Sequence, residues 1–199
     1  MGTAGFASRS SRRSAGRLQT IGIIAIAAVI LGVLVYAASG QGPSDGVTRI
    51  DLGEGAAAAA PVVGSVPPDF TAQTWDGKTV SLSDYAGKPV WLTFGASWCP
   101  DCRTEAADVE ATYKANKDKG LVILAVFIQE PKEDVAGYAQ RAGLTFPIAV
   151  DERADIAGAY RTMGIPTHFF IGPDGKIREI RIGALARDEM DRAVAALAN

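Results

Sequence analysis

In 199 residues the chain carries two cysteines and one histidine, and that scarcity excludes several chemistries. A structural zinc site takes about four ligands, which one histidine and one cysteine pair cannot assemble. A purely structural disulfide between cysteines three positions apart would close so short a loop that it adds little stability. No cysteine lies between residues 21 and 65, so that stretch has no residue to carry a lipid and none to relay electrons across a membrane. Net charge is only −2, and basic residues cluster nowhere outside the N-terminal tail, so no nucleic-acid footprint exists. No internal repeat is visible.

What is present is concentrated in Trp98-Cys99-Pro100-Asp101-Cys102, which holds both cysteines. Val90 to Phe94 before it reads as a buried strand, and Gly95-Ala96-Ser97 as the turn leading to a helix start. Pro100 suits the first helical position, where a missing N–H costs nothing. Ala106, Val109 and Tyr113 then keep an apolar face beside Glu105, Asp108, Glu110 and Lys114. The pattern places Cys99 at the helix N-terminus and Cys102 one turn inside. Free N–H groups and the helix dipole stabilise a thiolate at that end, which makes Cys99 the attacking thiol and Cys102 the resolving one. The cofactor is then the redox-active Cys99–Cys102 pair itself, with no other cofactor and no metal.

The N-terminal segment points to a compartment. Ile21 to Ala38 is an uncharged run of about eighteen residues, long enough to span a bilayer core. Arg9, Arg12, Arg13 and Arg17 precede it, whereas Asp45 and Arg49 cancel after it, so the N-terminus is expected in the cytoplasm. Ala37-Ala38-Ser39 would suit signal cleavage, but the run exceeds a usual signal core of ~7–15 residues. The expected layout is a cytoplasmic basic tail over 1–20, a transmembrane signal-anchor over 21–38, a flexible extracytoplasmic tether over 39–65 with a reach of roughly 30 Å, and a single domain over 66–199.

Strand and helix signals alternate within that domain. Phe70 to Thr74 and Thr79 to Leu82 flank Asp76-Gly77, a hairpin signal. Leu121 to Phe127 reads as a strand buried on both faces. A helix around Glu133 to Arg141, a strand at Phe146 to Val150 and a short helix from Ala154 to Tyr160 follow. Thr167 to Ile171 and Lys176 to Ile182 form a second hairpin around Gly172-Pro173-Asp174-Gly175, and Met190, Val194 and Leu197 line one face of a closing helix. The class is α/β, a mixed sheet flanked by helices.

From Val66 to Asn199 the chain resembles TlpA/ResA-type members of the thioredoxin superfamily. The resemblance rests on Pro68-Asp69-Phe70, Asp76-Gly77-Lys78, Leu82 to Pro89, Trp98 to Cys102 with Arg103 and Glu105, Leu144 to Pro147, and Gly164-Ile165-Pro166-Thr167 with Phe169 to Ile171. Glu130 to Asp151 resembles the insert that distinguishes these proteins from plain thioredoxins. The resemblance implies a thioredoxin-like fold with an N-terminal hairpin, and bacterial, membrane-tethered thiol–disulfide exchange outside the cytoplasm. It implies protein thiols and disulfides as substrates, often apocytochrome c before haem attachment, and a membrane electron carrier that recharges a reductase.

The same resemblance assigns roles to single residues. Ile165-Pro166 matches a loop that faces the cysteines with its proline cis and offers Ile165 backbone to an extended substrate. Glu105, three residues after Cys102 on one helix face, matches a glutamate that can take the proton of the resolving thiol. Trp98 matches a tryptophan that shields the active thiol, and Pro100 lies between the cysteines. Asp101 reads as a first-turn acid whose charge disfavours the thiolate. His168 stands where the family more often has a small hydroxylated residue; a satisfied strand histidine is the default and proton transfer the alternative. A copper chaperone would need a wider cysteine spacing, and a thiol peroxidase a threonine where Ala96 stands. A disulfide-forming oxidase uses the same fold, and residue types leave reductase and oxidase both open.

Overall fold

The computed structural model describes residues 28–31, 50–52 and 60–197. The chain divides into two compact units, Met1–Gly46 and Val47–Asn199. In the first, residues 28–31 are helical, with Val29, Ile30 and Leu31 exposed. The expected tail, and the expected anchor apart from those four residues, lie outside the described residues. Among the described residues no helix is long and apolar enough to cross a membrane.

The second unit is a thioredoxin-like α/β fold. Its small antiparallel sheet has the order β1 (Asp51–Leu52), β2 (Phe70–Gln73), β3 (Thr79–Ser81). Two parts of the stretch expected as tether therefore belong to the domain. Asp51 and Leu52 pair with Thr71 and Phe70, and Ser65 and Gly64 exchange backbone hydrogen bonds with Ile177. The correction has a physical source: Ile50 and Leu52 pack against the core, but a two-residue strand is too short to show a period-two pattern.

The main sheet has the order β6 (Ile148–Asp151), β5 (Val122–Ile128), β4 (Val90–Gly95), β7 (Thr167–Ile171), β8 (Ile177–Ile182). Strands β4, β5 and β6 run parallel, and β7 and β8 antiparallel to their neighbours. Helices α1 (Pro100–Asn116), α2 (Lys132–Ala142), α3 (Asp155–Ala159) and α4 (Arg187–Ala196) follow β4, β5, β6 and β8. The segment expected as an insert thus supplies α2 and the edge strand β6.

Successive side chains on a strand point to opposite faces, so each buried strand feeds two cores. Leu92, Phe94, Leu124, Val126, Phe169 and Ile171 join Phe70, Ile156 and Tyr160 on one face. Trp91, Ile123, Ala125, Phe127 and Phe170 join Val109 of α1 and Met190 of α4 on the other. The same alternation puts Thr93 on the Trp91 face. The antiparallel register sets His168 directly opposite Thr93, beneath α1. Tyr160 Oη donates to Pro68 O at 2.6 Å and so ties the start of the hairpin to the end of α3.

Candidate active site

Both cysteines sit where the sequence pattern placed them. Cys99 is the N-cap of α1 with extended backbone (φ −80°, ψ 118°), Pro100 opens the helix, and Cys99 Sγ accepts the Cys102 N–H at 3.2 Å. One helical turn leaves the two Cα atoms 5.3 Å apart, and the structure joins the pair as a disulfide. Cys99 is 4% exposed and Cys102 8%.

The loop before β7 closes over the pair. The Ile165–Pro166 peptide is cis, and Cys99 Sγ lies 3.8 Å from Ile165 O. Ile165 packs on Ala96, Cys99 and Cys102, while Gly183 N–H binds Pro166 O at 2.8 Å and Thr167 Oγ1 binds Gly164 O at 2.6 Å. Trp98 is half exposed. With Ile165, Met163, Gln129 and Ile128 it lines a groove of about 400 Å³ next to the Ile165 loop. Pro100 and Asp101 are exposed on the helix start.

Beneath the disulfide, Glu105 is 6% exposed. Its Oε2 accepts the Leu185 N–H at 3.0 Å and lies 3.5 Å from His168 Nε2. Glu105 and Cys102 line one small cavity of about 30 Å³ with Thr93, Gly95 and Tyr138. Burial holds the Tyr138 hydroxyl above its ordinary pKa; Arg103 opposes this, and the charges of Glu105 and Glu130 add to it.

Glu130 is a residue that sequence reasoning did not single out. It is 4% exposed and accepts the Ser97 N–H at 2.7 Å and the Ser97 hydroxyl, which fixes the turn that delivers Cys99. Burial raises its pKa; the two Ser97 hydrogen bonds oppose that, and Asp134 adds to it. In the sequence it marks only the start of the segment Glu130 to Asp151, and its partner stands 33 positions away.

Comparison with known proteins agrees with this geometry. Residues 63–180 match the AhpC/TSA family. Thiol-disulfide oxidoreductase ResA of Geobacillus kaustophilus (strain HTA426) is 38% identical over 133 residues, covering 67% of this chain and 76% of that protein. The protein of the same name from Bacillus subtilis (strain 168) is 34% identical over 122 residues, covering 61% of this chain and 68% of that protein. A crystal structure of a thiol:disulfide interchange protein DsbE from Chlorobium tepidum superposes with a TM-score of 0.66 at 27% identity, covering 70% of this chain and 100% of that one.

Proposed function

The chain belongs to the AhpC/TSA family and is a thiol–disulfide oxidoreductase of the ResA and DsbE type, and on that premise we propose that it is a membrane-anchored, extracytoplasmic reductase of protein disulfides such as that of apocytochrome c. The observation that carries this reading is the pairing of Cys99 at a helix N-cap with the Ile165 carbonyl 3.8 Å away. An extended segment laid along the groove can bond to Ile165 backbone while its sulfur meets Cys99.

In the proposed cycle the reduced pair supplies two electrons. The Cys99 thiolate attacks one sulfur of the substrate disulfide, forming a mixed disulfide and releasing the other sulfur as a thiolate. Cys102 passes its proton to Glu105 and attacks Cys99 Sγ. That step forms the Cys99–Cys102 disulfide and frees the second substrate sulfur. A membrane electron carrier then returns two electrons to the pair.

Anchoring is supported by the arginines at 9, 12, 13 and 17 and the uncharged run over 21–38, of which residues 28–31 are helical with exposed apolar side chains. The tether in this reading is shorter than 39–65, because residues 50–52 and 64–65 are bound to the domain. Two cysteines in one helical turn, with Ala96 three residues before Cys99, favour exchange over peroxide reduction.

Direction is tested by equilibrating the full chain with glutathione buffers and by following reduction of a disulfide-bonded peptide bearing a haem-attachment Cys-x-x-Cys-His segment. A potential near or below about −200 mV with peptide reduction supports the reductase. A value close to the about −120 mV of strong periplasmic oxidants, with disulfide transfer to the reduced peptide, would replace it by the oxidase.

A further inference from the structure

The cycle above leaves unused the group packed behind Glu105. His168 is 0% exposed. Its Nδ1 lies 3.2 Å from Trp91 Nε1 and 2.9 Å from Thr93 Oγ1. An indole N–H can only donate, so Nδ1 accepts and the ring proton sits on Nε2. Nε2 has no hydrogen-bond partner at ordinary distance and faces Glu105 Oε2 at 3.5 Å. The same oxygen already accepts the Leu185 N–H at 3.0 Å. Two donors converge on Oε2, while Oε1 makes no hydrogen bond among the described residues and is the oxygen left for the cavity shared with Cys102.

We propose that His168 is a positioning residue for Glu105: its Nε2–H, together with the Leu185 N–H, holds Oε2 so that Oε1 receives the Cys102 proton. The proposal rests on Glu105 acting as the base for Cys102. The proton passes from Cys102 Sγ to Glu105 Oε1, and His168 keeps its own, because surrendering it would leave an imidazolate in an apolar core. Trp91 sets the tautomer by the bond it donates to the opposite nitrogen. The other titratable groups near this pair are Tyr138 of α2, which lines the same cavity, and Arg181 of β8, which stands opposite His168 and is bound to Glu179 and Glu189.

The test uses the reduced full chain and follows formation and resolution of the mixed disulfide in single turnovers for Glu105→Gln, His168→Gln and His168→Asn. A glutamine amide reaches the Nε2 position and can donate to Oε2. An asparagine reaches only the Nδ1 position, where it accepts from Trp91 and leaves Oε2 one donor short. His168→Asn should slow resolution by about tenfold or more, the scale of one hydrogen bond to a charged group, and leave formation unchanged. His168→Gln should restore most of that loss, and His168→Asn should add nothing in a Glu105→Gln background. If Glu105→Gln itself resolves at the parent rate, the base assignment falls and the proposal with it. If Glu105→Gln is slow but His168→Asn is not, or if both His168 variants are equally slow, positioning is overturned while the base assignment stands. The ring ¹⁵N shifts of the unmutated chain give a check that needs no variant to fold: a protonated Nε2 supports the proposal, and a protonated Nδ1 overturns it.

Discussion

Helix α1 carries two buried glutamates, each 6% exposed, and the two are held very differently. Glu110, toward the far end, has both oxygens engaged: Oε2 accepts the Thr145 N–H at 2.9 Å, and Oε1 accepts the Thr145 hydroxyl at 2.6 Å and meets Lys114 Nζ at 3.0 Å. Glu105, under the disulfide, has one backbone N–H on one oxygen and a histidine at 3.5 Å. A carboxylate with both oxygens engaged by donors is part of the frame. One with an unclaimed oxygen beside a thiol keeps the capacity to accept a proton. Equal burial on one helix therefore goes with two different donor sets, and the proposed role of Glu105 rests on that difference.

The sharpest way to break this comparison is to neutralise each carboxylate and read rate and stability together. Glu105→Gln should slow resolution of the mixed disulfide by about 10²-fold, within the usual range of general-base assistance, with little change in thermal stability. Single-turnover kinetics and a melting curve measure both. Glu110→Ala should do the reverse, costing about 1–3 kcal/mol by stranding the Thr145 donors, as read in denaturant unfolding, while exchange proceeds at the parent rate. If Glu110→Ala slowed exchange as much as Glu105→Gln, donors on both oxygens would not distinguish the two.

Glu130 offers a third case, a carboxylate with one donor on each oxygen whose pKa burial raises above the ordinary 4.5. The folded chain then binds this proton more tightly than the unfolded chain. The resulting stability is fully present below about pH 4.5 and is lost as pH rises through the folded value. Glu130→Gln should remove that part of the decline when melting temperatures of parent and variant are compared from pH 4 to 7. Asp151 is raised by burial in the same direction, so the parent-minus-variant difference isolates Glu130. A parallel decline in both proteins would contradict the burial account. The smallest effect belongs to the exposed Arg192–Asp188 pair on α4, which lies at 2.6 Å in solvent. Arg192→Ala should leave both melting temperature and exchange rate unchanged, since exposed ion pairs contribute little.

The same contrast explains what the sequence could and could not reveal. Strand β7 and the closing hairpin were legible because local periodicity and a Pro-Asp-Gly turn mark them. Cys99 and Pro100 at the start of α1 were legible because capping chemistry is local. Glu105 was legible as a residue one turn beyond Cys102. Its difference from Glu110 was not, since that depends on Leu185 and Thr145, 80 and 35 positions away. Trp91 and His168 are 77 positions apart and meet only through the β4–β7 register, which no local pattern encodes. The satisfied strand histidine expected from the sequence is satisfied on one nitrogen only. Trp98 is half exposed and lines the groove with Ile165, a placement that depends on the loop 66 positions on from Cys99.

The central claim is that Cys99 attacks and Cys102 resolves. The most direct test mixes the reduced Cys99→Ser and Cys102→Ser full-length proteins separately with a disulfide-bonded substrate peptide and weighs the products. Cys102→Ser should accumulate a stable adduct on Cys99, and Cys99→Ser should yield neither adduct nor exchange. An adduct forming on Cys102 of the Cys99→Ser protein at a comparable rate would contradict the assignment.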